Sequence, residues 1–354
     1  MSRNISERAA FCARQNSWMR LLALLLVGCA ALHLVGCATA PESANAGKVV
    51  VVAGASSGFG KGVALQLAGQ GANLVLAARR THLIEQVARD CEQLGGAAIA
   101  VTTDVSREQD VQRLLDAALS RFGRVDVWIN MAGVGALGPF DEVPLADHHR
   151  VIAVNLGGVM NGSHYALRQF HQQQSGGTLI NIASVAGRLP FPHYSSYVAS
   201  KHAVVGLGAS LNQELRAGGV KNVHVVTINP YAADTPWFDH AANYSGHKPR
   251  QILLDPPEKV VDAIVKAIAR PRPEINVGYK ANLAVASTRI ARRLTHNVTA
   301  AVLHKVTVED SPPAAMTAGT LYEPMEEGET VDGGMRKRLA EGDLRKVEDP
   351  QDAR

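Results

Sequence analysis

Cysteine is scarce in this chain, and its placement matters more than its count. Of the four cysteines, Cys12, Cys29 and Cys37 fall within the first 37 residues, and only Cys91 lies beyond them. One thiol builds no disulfide framework, and Cys91 reads as a small buried hydrophobe on a helix. A strong charge imbalance is missing too. The chain carries 36 Lys and Arg against 32 Asp and Glu. Residues 1–36 hold four of those arginines and one of the glutamates, which leaves 32 against 31 in the remainder. A near-neutral domain has no basic footprint for nucleic acid. No apolar run reaches the roughly 18 residues of a confident membrane span; the best is the sixteen from Leu21 to Gly36. Internal repeats are absent, and His240 and His247 have no second cluster at metal-ligand spacing beside them.

The N-terminus carries a sorting pattern. Met19-Arg20 precedes Leu21-Leu-Ala-Leu-Leu-Leu-Val27, and apolar or small residues continue to Leu34-Val35-Gly36-Cys37. A basic start, an apolar run and small residues at the cut define a secretory signal. Leu34-Val35-Gly36-Cys37 resembles the lipobox of bacterial lipoproteins, which implies a signal peptide over 1–36, a lipid on Cys37 and attachment of an exported protein to a membrane. Leu26-Val27-Gly28-Cys29 is a second match with a shorter apolar run, and an uncleaved N-terminal anchor is the alternative. Met19 is a second candidate start. Residues 37–47 read as a linker.

From Lys48 the pattern alternates. Strand-like runs stand at Lys48–Ala53, Asn73–Ala78, Ala97–Val101, Val125–Asn130, Thr178–Ala183 and Asn222–Asn229. Helical stretches separate them, among them Glu108–Phe122, Leu145–Gln172 and Tyr197–Leu215. Strict alternation predicts an α/β fold with a doubly wound parallel sheet. The span 48–278, about 230 residues, suffices for one domain with a sizeable core.

Two patterns inside that alternation carry chemistry. Gly54-Ala-Ser56-Ser57-Gly58-Phe59-Gly60 follows a strand and precedes the apolar helical stretch Val63–Ala68. Glycines there let the backbone approach a pyrophosphate, whose charge the N–H groups of a helix start stabilise. A tight strand-to-helix turn without ligand is the other reading. The second pattern is Tyr197-Val-Ala-Ser-Lys201, thirteen positions after Ser184. Residues four apart share a helix face, so the ammonium can sit beside the phenol and lower its pKa from ~10. Such a tyrosine passes a proton to or from a substrate oxygen near neutral pH, and Ser184 can hold that oxygen. By itself the pair also fits a solvated helix face.

Together these residues resemble the short-chain dehydrogenase/reductase family over about Lys48–Gly278. Its Thr-Gly-x-x-x-Gly-x-Gly pattern matches except that Ala53 replaces the threonine. Its Asn-Asn-Ala-Gly element appears as Asn130-Met131-Ala132-Gly133, and its Pro-Gly-x-x-x-Thr element as Pro230-Tyr231-Ala-Ala-Asp-Thr235. The resemblance implies a catalytic set of Ser184, Tyr197, Lys201 and Asn155, the last holding a relay water. It further implies that Asp104 and the adjacent Val105 lie against an adenine ring, and that Asn130, Ala132, Gly133, Pro230 and Thr235 join the glycine turn, Tyr197 and Lys201 around the coenzyme. The missing hydroxyl at Ala53 would loosen the neighbouring strand ends, and Tyr231 would reshape the pocket or pack on the sheet.

Coenzyme choice is legible at the end of the second strand. An acidic residue there would hold the adenine-ribose 2′-hydroxyl; Ala78 stands there instead, followed by Arg79 and Arg80. Guanidinium groups suit a phosphate, so the expectation is NADP(H) in preference to NAD(H). The alternative is two solvated arginines at a helix start.

The stretch Pro236–Leu254 matches the family's mobile substrate loop. Its aromatics, with Leu137, Phe140, Phe191 and Tyr231, suggest an apolar pocket. Leu283, Ile290, Leu294, Val298 and Val302, with Arg289, Arg292 and Arg293 between them, predict one amphipathic helix within an extension over 279–310. Such a stripe docks on its own domain, on an oligomer partner or on an anionic membrane. The tail 311–354, rich in Pro, Gly and acid, reads as mostly flexible, with Leu321-Tyr322 as a local pin. The expected function is an oxidoreductase moving a hydride between NADP(H) and a small carbonyl or alcohol substrate, with a homo-oligomer as the family's habit. The alternative is a membrane-anchored lipoprotein that binds a nucleotide or partner without turnover.

Overall fold

Valine builds the centre of the molecule. In the computed structural model, which describes residues 43–348, β1 (Val49–Ala53) is four valines and an alanine, all buried. Side chains alternate across a strand. Val50 and Val52 enter one hydrophobic core, and Val49, Val51 and Ala53 enter another on the opposite face. Full burial contributes roughly 1.5–3 kcal/mol for each such valine.

The sheet continues through β2 (Asn73–Ala78), β3 (Ala98–Thr102), β4 (Val127–Asn130), β5 (Gly177–Ile182), β6 (Val223–Asn229) and β7 (Glu274–Asn276). Every pair is parallel, in the order β3-β2-β1-β4-β5-β6-β7. One face is covered by α1 (Gly58–Ala68), α2 (Thr81–Gln93) and α7 (Pro257–Ala269), the other by α3 (Glu108–Phe122), α5 (Gly158–Gln172) and α6 (Ser195–Ala217). The doubly wound parallel sheet expected from the alternation is therefore present. β7 has too few residues to show a period. The strand order reverses between β1 and β4, and in such sheets the ligand crevice opens at the carboxyl ends beside that switch.

Three stretches differ from the sequence reading. The helical run 145–172 is divided into α4 (Leu145–Ile152), a π-helical turn Ala153–Gly157 and α5. Such turns accompany functional sites, and Asn155 sits within this one. The amphipathic helix expected over 282–306 is two helices, α8 (Gly278–Ile290) and α9 (Arg292–His304), broken at Ala291 where φ is −139°. Its apolar row is not buried on the domain: Leu283, Ile290, Leu294, Val298 and Val302 are all exposed.

The tail is the reverse case. Residues 311–334, read from composition as mostly flexible, lie against the domain with Leu321 fully buried, and bridges join Asn243 to Thr317 and His247 to Pro313. α10 (Met335–Glu348) follows, with Met335 packed among Phe238 and Leu254. The chain from Ala44 onward forms one compact unit. The signal peptide, the lipobox and Cys37 fall outside the described residues. Among the described residues no helix is long and apolar enough to cross a membrane.

Candidate functional site

Gly54 turns the chain after β1 with φ +109°, and a Cβ on it would lie 2.6 Å from the Ala132 backbone nitrogen. Only glycine allows the segment after β4 to come this close. A Cβ on Gly60 would run into the Gly54 carbonyl. Ala132 and Met131 both donate their N–H to the Ala53 carbonyl, at 2.8 and 2.9 Å. These bonds hold the strand ends that the loss of a threonine hydroxyl was expected to loosen. Gly54, Ser56, Ser57, Gly58, Phe59 and Gly60 line one cavity of about 500 Å³, and Ala132, Gly133, Pro230 and Thr235 line it with them.

Ser184, Tyr197 and Lys201 stand at the other end of this cavity. Ser184 follows β5 in extended backbone; its Oγ accepts the Ala186 N–H at 3.1 Å and shares a hydrogen bond with the Tyr197 phenol. Tyr197 and Lys201 occupy the first turns of α6, with Nζ 5.6 Å from the ring centre and donating to the Ile182 carbonyl at 2.8 Å. Burial governs both groups. It pushes the phenol up to about 12, against the pull of the Ser184 hydrogen bond, and the ammonium down to about 8. The phenol lowered by its lysine is thus not what this geometry produces. Desolvation of the phenolate outweighs a cation whose own charge is disfavoured by the same burial.

Asn155 is fully buried, and both of its amide donors are engaged, with the Val134 carbonyl at 2.9 Å and Ser200 Oγ at 3.1 Å. Its Oδ1 accepts the Val134 N–H at 2.8 Å. The side chain therefore clamps the segment after β4 to α6.

The arginines after β2 meet the C-terminal tail. Arg79 donates to the carbonyls of Thr320 at 2.5 Å, Tyr322 at 2.8 Å and Leu321 at 3.3 Å. Arg80 donates to Ser56 Oγ at 3.1 Å and Ser57 Oγ at 2.9 Å, and to the carbonyls of Met325 and Glu327, both at 3.1 Å. The Gly58 N–H donates to the Thr330 carbonyl at 2.9 Å. Residues 320–330 thus form a strap along the glycine turn, and Thr320, Pro324 and Met325 belong to the cavity wall. Asp104 lies beside them. Burial alone would raise its carboxyl pKa, but hydrogen bonds from Arg150 at 2.7 Å and from Ser106 hold it below the usual range. Arg150 also donates to the Leu321 carbonyl at 2.8 Å. Val105 completes this edge of the cavity.

Aromatic and aliphatic side chains wall the Tyr197 end. The Trp237 ring lies 4.9 Å from that of Tyr197 and 6.4 Å from that of Tyr194. Phe191, Tyr231, Leu189 and Ile252 join them, with Val298 and Val302 of α9. Leu253 reaches the cavity from a left-handed backbone, φ +58°, which strains a non-glycine residue. Leu137 and Phe140, expected here, are elsewhere. Leu137 is buried in a two-residue pairing of Ala136–Leu137 with Ala242–Asn243, and Phe140 is 62% exposed and stacks on His148.

The family model for short chain dehydrogenases matches residues 48–244, from just before β1 to just past Trp237, and so spans both ends of the cavity. The chain belongs to the short-chain dehydrogenase family. Among relatives in this family of oxidoreductases, the oxidoreductase YxnA of Bacillus subtilis is 31% identical over 296 residues, 82% of this chain and 83% of its own. That match is longer than the span 48–244. The 3beta-hydroxysteroid dehydrogenase 1 of Eggerthella lenta is 39% identical over 191 residues, 54% of this chain and 72% of its own. A short-chain dehydrogenase from Burkholderia phymatum, solved in complex with NAD, superposes with a TM-score of 0.63 at 31% identity, covering 72% of this chain and 96% of that one.

One further expected dehydrogenase residue sits apart from the cleft. Asn130 does not line the cavity. Its Oδ1 accepts the Trp128 indole N–H at 2.8 Å and its amide donates to Asn181 at 2.8 Å, so it joins β4 to β5 inside the sheet. The strap and Arg150 were not legible as parts of this dehydrogenase cleft, whereas Trp237 belongs to the aromatic stretch expected to wall the pocket. Arg150 sits amid a helical run, and the strap carries no motif; only Leu321-Tyr322 hinted at a fixed point.

Proposed function

We propose that this chain is an NADP(H)-dependent oxidoreductase that interconverts a carbonyl and an alcohol on an apolar substrate. The observation that carries the reading is the meeting of Ser184, Tyr197 and Lys201 at one end of a cavity whose other end is the glycine turn at the start of α1. The donor set fits a dinucleotide: glycines that admit a backbone approach, a helix start, and Arg79 and Arg80 where an acidic residue would favour an unphosphorylated ribose. When bound, a nicotinamide coenzyme supplies or accepts the hydride.

In the reductive direction Tyr197 donates its hydroxyl proton to the substrate oxygen, and Ser184 hydrogen-bonds that oxygen. Lys201, protonated at pH 7 with its ammonium near 8, stabilises the phenolate left behind. Trp237, Phe191 and Tyr231 favour an apolar substrate body over a charged one. Arg80, which bridges Ser56 and Ser57, is the first partner for a 2′-phosphate, and both arginines reach it by exchanging strap carbonyls for phosphate oxygens.

The deciding experiment titrates the chain from Ser43 onward with NADPH and NADH, followed by energy transfer from its tryptophans, and then assays a panel of ketones and aldehydes. Tight NADPH binding, weaker NADH binding and turnover of an apolar ketone are expected. Equal binding removes the coenzyme preference alone. A second reading, a lipoprotein that holds a nucleotide or partner without turnover, has one observation in its favour: Arg79, Arg80 and the Gly58 N–H already have partners in the chain's own tail. A folded protein that binds neither coenzyme would overturn the enzyme reading and favour this second one.

A further inference from the structure

The apolar row of α8 and α9 is exposed along its length, and at its far end Val298 and Val302 also border the cavity. Thirteen large hydrophobic side chains are exposed among the described residues, and six of them lie between Tyr279 and Val302. Ile290 is 86% exposed and Leu294 66%. No residue of α9 is buried, although Leu294, Val298 and Val302 recur at a spacing of four and share one helical face. A thirteen-residue helix of this kind is marginal in water without a surface to cover its apolar side. Patches of this kind mark an interaction site.

The charges around the row select the occupant. From Tyr279 to Val308 the chain has five Lys and Arg and no Asp or Glu. Arg289, Arg292 and Arg293 are exposed and form no ion pair with a carboxylate among the described residues. A second copy docking through the same face would set these cations against their own equivalents, because a two-fold interface repeats one patch on both sides. An anionic lipid surface meets both halves of the pattern, since apolar side chains enter the acyl boundary while Lys and Arg contact the headgroups. The cleft opens on the same face. Val298 and Val302 line the cavity and are also exposed, so the inner wall of the substrate end and the outer surface share residues.

We propose that the α8–α9 face lies on an anionic bilayer, and that the substrate is a lipophilic alcohol or ketone that enters the cleft from the lipid past Val298 and Val302. The substrate class rests on the oxidoreductase reading above; the membrane contact does not.

The test uses the chain from Ser43 onward, which holds the whole compact unit and lacks the N-terminal apolar run. Co-flotation is measured with vesicles of phosphatidylcholine alone and of phosphatidylcholine with about one quarter phosphatidylglycerol. The wild type is expected to float with the anionic vesicles only, and less so at high salt. Ile290→Asp and Leu294→Asp, and separately Arg292→Glu with Arg293→Glu, are expected to lower partitioning at least about tenfold. Coenzyme titration in lipid-free buffer checks that the variants fold and bind as the wild type does, since none of these residues lines the cavity. Failure of the wild type to float, or flotation indifferent to all four substitutions, overturns the proposal. A concentration-dependent dimer abolished by the same substitutions, without flotation, also overturns it and assigns the face to a second copy. Turnover of a water-soluble ketone without vesicles tests the oxidoreductase reading independently.

Discussion

At one end of the cleft, Ser184, Tyr197 and Lys201 come from the end of β5 and the first turns of α6, next to each other in the chain. At the other end, Arg79 and Arg80 leave β2 and meet carbonyls more than 240 positions later. The contrast lies in what holds each geometry. Helical periodicity brings Tyr197 and Lys201 together wherever that helix forms. No local rule brings Thr320 to Arg79; that contact exists only because Leu321 is buried against the domain and the tail follows. The tyrosine end is therefore fixed by short-range geometry, whereas the arginine end depends on contacts between segments far apart in the chain.

The sharpest way to break this contrast is Tyr197→Phe. Removing the hydroxyl is expected to lower kcat by about 10²–10⁴-fold while NADPH binding stays within twofold or so of wild type; a variant with undiminished turnover would leave the tyrosine end without its role. At the other end, Leu321→Ala is expected to cost roughly 2–5 kcal/mol if the strap is a cooperative part of the fold. A much smaller loss in a denaturant titration, with amide exchange quickened only across 320–330, would instead mark the strap as a separately opening element.

The ammonium of Lys201 gives a pH signature. Its folded value near 8 lies below the ordinary 10.5, so between those limits the unfolded chain binds more protons than the folded one. Stability supplied by this group accordingly rises with pH through that window, by up to about 3 kcal/mol, and the burden of burying the charge is greatest below pH 8. Other groups titrate nearby, so the measurement is the difference in stability between wild type and Lys201→Met from pH 7 to 10. Parallel curves would show that Lys201 is not desolvated. The smallest effect belongs to Arg80→Ala, for which NADPH affinity is expected to fall about tenfold and NADH affinity to change little. Equal losses for both coenzymes would make Arg80 a tether of the strap and no phosphate ligand.

Much of the fold was legible because its signals are periodic. Six of the seven strands follow apolar runs, and the glycine turn and the Tyr-x-x-x-Lys pair are local patterns whose chemistry depends on spacing. What failed to show was long-range or depended on environment. Asn130 matches a family motif, yet Trp128 and Asn181 claim its side chain. Asn155 matches a family position, but its clamp between Val134 and Ser200 could not be read from the motif. The apolar stripe after Tyr279 was read as one amphipathic helix but is carried on two, and periodicity cannot say which surface covers it.

The amino-acid sequence by itself determined the alternation of strands and helices, the glycine turn after β1 and the pairing of Tyr197 with Lys201, because each follows from backbone geometry over a few residues. Only the tertiary structure decided that the acidic, proline-containing tail closes the arginine end, that α8 and α9 turn their apolar row outward, and that burial raises the tyrosine whose lysine was expected to lower it. Those outcomes depend on which distant groups exclude water from one another, and water exclusion is a property of the assembled fold.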